Sequence, residues 1–323
     1  LGHEYTHSWN GKYRRPAGLW TPNYNVPMRG SLLWVYEGQT QYWGNVLTAR
    51  AGLRPMQASR DALALVAATY ADNRPGLEWR ALQDTTNDPV VAARQPKPYR
   101  GYQMSEDYYS GGQMMWLEAD ARIRKLSRGR KSLDDFARAF FGGNDGEWKV
   151  QDTYEFDDVV AALDGVVASD WATFLRDRLD GKAPLTGGLE ASGWKLVYRD
   201  EPNAYAKSRM KDRGGASFIY SIGLNLDRSG KVGEVRWDSP AFDAGVGTGM
   251  TVVAVNDIAY GKDVMEDAIK AAKDDEAPIR LLVREFDRFR TIDVDYHGGP
   301  RHPHLERIEG TPDYLTKILM PRK

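Results

Sequence analysis

Apolar residues fall in helix-length runs through the first half of the chain and in short alternating runs after Gly181. The first half therefore reads as helical and the second as rich in β-strand. Residues 1–10 predict a short helix that stops at a left-handed Asn10-Gly11 cap. A loop with Pro16, Gly18, Pro22, Pro27 and Gly30 follows. Ser31 is a good N-cap for a helix reaching about Ala51, and another is expected over 55–73. A polar, proline-bearing loop leads to Tyr102, then a helix rich in Met, Trp, Leu and Ala over 108–127. Ser132-Leu133-Asp134-Asp135 has the capping-box form and opens the next helix; 156–163 and 169–179 complete the half. Beyond it, Trp194-Lys195-Leu196-Val197-Tyr198 alternates as a strand does. From about Gly215 the order is strand, turn, strand, one amphipathic helix near 263–273, then strands at 278–285 and 289–296. The expected division is 1–185, a linker with short strands over 186–214, a β-rich unit over 215–297 and a tail over 298–323.

Composition narrows the chemistry. At 323 residues, two cores can form. A net charge of −1 gives no global attraction to nucleic acid or to a membrane surface. The basic run from Arg122 to Lys131 reads as the solvated end of a helix. There are no cysteines, which excludes disulfides, thiolate metal sites and cysteine nucleophiles but leaves the compartment open. No apolar run is long enough to span a membrane.

The chemically richest stretch is the first: His3-Glu4-Tyr5-Thr6-His7. Residues i and i+4 share a helix face, so His3 and His7 can grip one metal ion, and Glu4 stands where a general base is needed. Three protein ligands make a catalytic zinc site, and Glu37, in the otherwise apolar Trp34-Val35-Tyr36-Glu37-Gly38, is the downstream candidate. A carboxylate in such surroundings is costly unless paired or metal-bound. The chain opens inside this motif, so it is expected to be part of a longer polypeptide.

The extended run from His3 through Trp9, Asn10, Lys12, Arg15 and Pro16, with Trp34-Val35-Tyr36-Glu37-Gly38 and Tyr42 beyond, resembles the glycyl aminopeptidase family of gluzincin metallopeptidases. The resemblance implies a multidomain protein: a mainly α-helical, thermolysin-like catalytic domain followed by a β-rich PDZ domain. It implies one zinc ion per chain on His3, His7 and Glu37, with Glu4 moving the proton of the attacking water to the leaving amine. Tyr109 would donate to the oxyanion, with Tyr108 the neighbouring alternative. Relatives carry Tyr-x-Lys-Gly there, whereas this chain has Tyr109-Ser110-Gly111-Gly112. Thermolysin orients a histidine with an aspartate four residues after its glutamate ligand; Gln41 stands here, so that support must come from elsewhere. Trp9, Asn10, Lys12 and Arg15 read as capping and packing residues. The implied substrates are peptides with small N-terminal residues such as Gly or Ala, in a bacterial, extracytoplasmic setting.

In the second half, Ser221-Ile222-Gly223-Leu224 resembles the carboxylate-binding loop of a PDZ domain, and Ser239-Pro240-Ala241 to Asn256 resembles the middle of bacterial PDZ modules. Such a loop can hold a peptide C-terminus while the peptide adds as an edge strand. An unused, structural groove is the equal alternative. A different function class also fits: a PDZ-based binding module with an inactive peptidase half. His297, His302 and His304 read as a surface tail in preference to a second metal site.

Overall fold

The computed structural model describes residues 1–91, 97–143 and 152–321. They form a mixed α/β chain with two main apolar cores. Helices Thr40–Arg50, Met56–Asp72, Ser110–Leu126, Leu133–Phe141, Phe156–Val166 and Trp171–Leu179 build the first. Each overlaps a helix expected from the sequence. Ser110–Leu126 is the central one: Met114, Met115, Trp116 and Leu117 are consecutive and all buried, so neighbours cover it on several sides. Leu133–Phe141 starts as its sequence dictates, with Ser132 accepting from the Asp134 N–H and Asp135 accepting from the Ser132 N–H. The basic run ends that central helix largely in solvent, except that Arg124 is buried on Asp120.

The helix expected from Ser31 is divided. Trp34–Gln39 is π-helical and Thr40–Arg50 is regular α-helix. A π turn reaches back five residues and leaves nearby carbonyls short of partners. Three consecutive carbonyls here receive side chains instead. Trp116 Nε1 donates to Trp34 O (3.0 Å), and Asn10 Nδ2 donates to Val35 O (2.9 Å) and Tyr36 O (3.3 Å).

The second core lies between a three-stranded sheet and a four-stranded one. In the first, Leu224–Leu226 is central, flanked by Ala216–Phe218 and Val232–Val235. In the second, Arg288–Val294, Ile279–Glu285, Thr251–Val255 and Ile258–Ala259 follow in that order. Helix Lys262–Ala271 closes it with Met265 and Ile269.

Two segments differ from expectation. Ala204–Arg213, within the expected linker, is a helix framed by the Asn203 cap and a left-handed Gly214. None of its residues is buried, so no apolar stripe announces it. The expected C-terminal tail is largely structured. His302–Arg307 pairs antiparallel with Trp194–Arg199, and helix Tyr314–Leu319 places Leu315, Ile318 and Leu319 in the first core. Those residues form a single apolar stripe, started by Asp313 accepting from the Thr316 N–H. Among the described residues no helix is long and apolar enough to cross a membrane.

Candidate metal centre and active site

His3 and His7 leave one face of the short helix Gly2–Thr6, which ends at His7 rather than at Asn10-Gly11. That helix lies against Thr40–Arg50 at Gly44, where a Cβ would stand 2.8 Å from the His3 backbone. Glycine thus lets the histidines approach the helix that continues from Glu37. His3 Nε2 and His7 Nε2 are 3.1 Å apart, and Glu37 Oε2 is 3.1 Å from the first and 3.3 Å from the second. Among the described residues this is the one group of three or more His, Asp or Glu side chains that converges in this way.

The triangle fits a metal ion. Ligands of a tetrahedral zinc at bonds of about 2.0–2.1 Å stand about 3.3 Å apart, close to the separations seen. The donor set, two imidazoles and one carboxylate, suits zinc as well. The electrostatics agree with a carboxylate kept ionised. Burial alone would raise the Glu37 pKa, but hydrogen bonds and charge from His3 and His7 outweigh it and hold it at about 2. Burial alone would lower the His7 pKa; Glu37, the Asn10 carbonyl and the Glu4 charge more than offset it and raise it. Glu4 is exposed and stands outside the trio.

The support that Gln41 does not give comes from Asn10. His7 Nδ1 donates to the Asn10 carbonyl at 2.9 Å, which leaves Nε2 as the lone-pair nitrogen. The Asn10 side chain is buried and also reaches Thr40 Oγ1 (3.3 Å), while its Oδ1 accepts from Tyr154 OH (2.7 Å). One residue therefore orients a histidine with its backbone and secures the π turn of Glu37 with its side chain. His3 Nδ1 is buried without a partner among the described residues.

Tyr109 precedes helix Ser110–Leu126, with its ring centroid 5.9 Å from that of His3 and its side chain lining a cavity with Gln41, Glu106 and Ser110. Tyr108 is buried, donates to Glu106 Oε1 (3.3 Å), and has its pKa pushed up by that burial. The departure at Gly111 has a packing cause: a Cβ there would meet Leu82 Cδ1 at 2.7 Å and Leu185 Cδ1 at 3.2 Å. Gly38 and Gly112 press together, a Cβ on either falling 2.8 Å from the other's Cα. That contact brings the start of the Tyr109 helix against the π turn.

The five residues His3, Glu4, His7, Glu37 and Tyr109 all lie within one matched stretch. Residues 1–115 match the model of the M61 glycyl aminopeptidase family. The chain is also similar to the crystal structure of an aminopeptidase N family protein from Idiomarina loihiensis, at 19% identity with a TM-score of 0.70. That likeness covers 99% of this chain and 54% of the other, so the chain spans about half the length of the solved protein it matches. At this identity it speaks for the fold alone. No curated protein matches significantly.

In the second half, Ser221, Ile222 and Leu224 are buried. Ser221 Oγ accepts from the Arg301 N–H at 3.0 Å, and Gly223 (φ +92°) has no room for a Cβ, which would lie 2.0 Å from Ser239 Oγ. The strand after them is hydrogen-bonded on both sides. His297 bonds the Ala272 carbonyl and Asp295, and His304 the Glu201 carbonyl. They form no second metal-ligating cluster among the described residues.

Proposed function

We propose that this chain carries the metal centre and catalytic residues of a zinc-dependent peptidase acting as an aminopeptidase. One observation carries the reading: His3 Nε2, His7 Nε2 and Glu37 Oε2 meet at 3.1–3.3 Å. The family match over the same residues supports it. His3, His7 and Glu37 would hold one zinc ion. Zinc held there supplies Lewis acidity, which lowers the pKa of a water and polarises a peptide carbonyl. Glu4, beside the ligands and not among them, takes the proton of the attacking water and hands it to the leaving amine. Tyr109 donates its hydroxyl to the carbonyl oxygen as that oxygen gains charge. Asn10 keeps the His7 ring from turning.

The substrate class is a peptide with a free N-terminus and a small first residue, Gly or Ala. The second half is assigned a PDZ-like architecture with a structural role. Its strand order supports the first assignment, and the buried Ser221–Leu224 loop with its doubly paired strand supports the second. No observation favours a binding module with an inactive peptidase half, since the metal-ligating trio and Glu4 are intact.

The test is metal content with turnover. Protein purified from zinc-supplied cells should hold one zinc and release Gly or Ala from peptides. A chelator should stop this and zinc should restore it. Absence of stoichiometric metal, or peptide hydrolysis that survives complete metal removal, overturns the reading.

A further inference from the structure

A chamber of about 570 Å³ opens where helices Thr40–Arg50 and Met56–Asp72 meet helix Ala204–Arg213 and the Ala216–Leu226 hairpin. Its volume is that of a small-ligand site. Its wall is largely apolar, with Val46, Leu63, Val66, Leu117, Met210 and Leu315 among the lining residues. Its charge is one-sided. Arg54, Arg209 and Arg213 line it, and none has an ion-pair partner among the described residues. The one carboxylate in the wall, Asp227, is turned onto its own loop, accepting from the Ser229 and Lys231 N–H groups.

Three polar atoms in this wall are buried with no hydrogen-bond partner among the described residues: Arg54 Nε, Ser59 Oγ and Asn225 Oδ1. Among the described residues Arg54 makes one hydrogen bond, Nη2 to Asn45 Oδ1 at 2.8 Å, and its guanidinium stands 5.7 Å from the centre of the Tyr205 ring. A buried guanidinium N–H without an acceptor is costly, and a carboxylate placed beside it recovers that cost. Three side-chain amides, Gln41, Asn45 and Gln113, also line the chamber. Asn45 Nδ2 bonds Gln113 Oε1 (3.0 Å), while the Gln41 amide makes no bond among the described residues. Amides of this kind match a peptide backbone, which a simple fatty acid lacks.

The chamber shares a wall with the cavity beside Tyr109. Gln41, Leu65 and Val66 line both it and the cavity that holds Tyr109, and Gln41 lies one helical turn beyond Glu37. We propose that this chamber receives the far end of a peptide, an apolar residue with a free α-carboxylate, and that Arg54 meets the carboxylate. The proposal rests on the peptidase reading for the peptide's orientation, and it assigns short peptides with free C-termini as the substrate class.

The experiment uses the chain as Glu4→Gln, loaded with zinc, so that binding is read without hydrolysis. The probes are Gly-Leu-Phe as the free acid and as the C-terminal amide, titrated by calorimetry. The acid is expected to bind about tenfold or more tightly, the size of one charge-assisted hydrogen bond. Arg54→Gln should erase that preference, so that acid and amide bind alike, while Arg54→Lys should keep part of it. Ala62→Phe, which fills the chamber, should weaken the acid as well. Equal affinity for acid and amide overturns the proposal, as does a preference that persists in Arg54→Gln. Dodecanoate binding more tightly than the peptide acid, and displacing it, overturns the peptide assignment in favour of a fatty-acid site. Failure of the peptidase reading looks different: the unsubstituted protein would hold zinc and not cleave Gly-Leu-Phe, whatever its preference for acid over amide.

Discussion

Asn10 holds two of the three converging side chains in place, His7 through its backbone carbonyl and the turn of Glu37 through its side-chain amide. His3, His7 and Glu37 are ligand-type side chains at separations that a helix pair can bring together, and they do meet. Asn10 sits in the same run of motif residues, yet its work depends on a π turn that no hydrophobic period announces. Asn10→Ala keeps the backbone carbonyl that orients His7 but removes the side chain that secures the turn of Glu37, and should weaken zinc binding by about 10–100-fold, the usual effect of losing a group that holds a ligand in place. It strips side-chain donors from the Val35 and Tyr36 carbonyls and an acceptor from Tyr154 OH. Tyr154→Phe should cost less, since the carbonyl contacts of Asn10 remain. Competition with a chelator reads both, and wild-type zinc affinity in Asn10→Ala removes the Asn10 side chain from the support of the centre. Glu4→Gln should separate binding from chemistry: zinc stays stoichiometric while turnover falls by about 10²–10⁴. Parallel loss of metal and activity would make Glu4 structural. Tyr109→Phe should cost on the order of 10²–10³, mainly in kcat, because the donor matters where charge develops. The buried Tyr108 is the control. A large kcat loss for Tyr108→Phe beside a normal Tyr109→Phe would reverse the assignment.

At the level of elements, long helices follow from sequence because apolar faces and caps agree, as at Ser132. What sequence conceals is how closely two elements approach. The Gly38–Gly112 contact is a backbone-to-backbone meeting, and a glycine in a string of motif residues does not say what lies opposite it. A Cβ on Gly38 would meet Tyr108 O at 2.6 Å and Gly112 Cα at 2.8 Å, neither of which can swing away. Gly38→Ala should therefore destabilise by about 1–3 kcal/mol, the range for overpacking a tight contact. It should also weaken zinc binding, because Glu37 is the adjacent residue. Gly112→Ala pushes on the same contact from the other side. Once one alanine has spread the helices the second costs less, so the double substitution should fall short of the sum of the singles. Denaturant unfolding of the three variants measures this. Full additivity would mean that the two glycines do not share a contact.

At the level of the molecule, the change from helix-rich to strand-rich sequence is readable because the two periods differ. The return of the C-terminus to the first core is not. Strand His302–Arg307 and helix Tyr314–Leu319 are short, and their partners lie far back in sequence. The return carries a pH signature through His302. Burial pulls its pKa from 6.5 down to about 4, beyond what Glu201 recovers, with His304, Lys207 and Lys270 opposing protonation further. The folded chain keeps this imidazole neutral, whereas the unfolded chain protonates it below about 6.5. Between those values the unfolded state binds the additional proton, so acidification favours unfolding. The contribution is fully present above pH 6.5 and is lost as pH falls toward 4. His7 acts in the opposite sense in metal-free protein, because its folded pKa is raised. The comparison must therefore be between variants and not between pH values alone. The thermal midpoint of the unsubstituted protein should fall more steeply from pH 7 to pH 4.5 than that of His302→Gln, with the two curves closest at the acid end. Parallel curves over that range would mean that His302 is solvated when folded, and that the C-terminal strand does not hold it in the wall between the two halves.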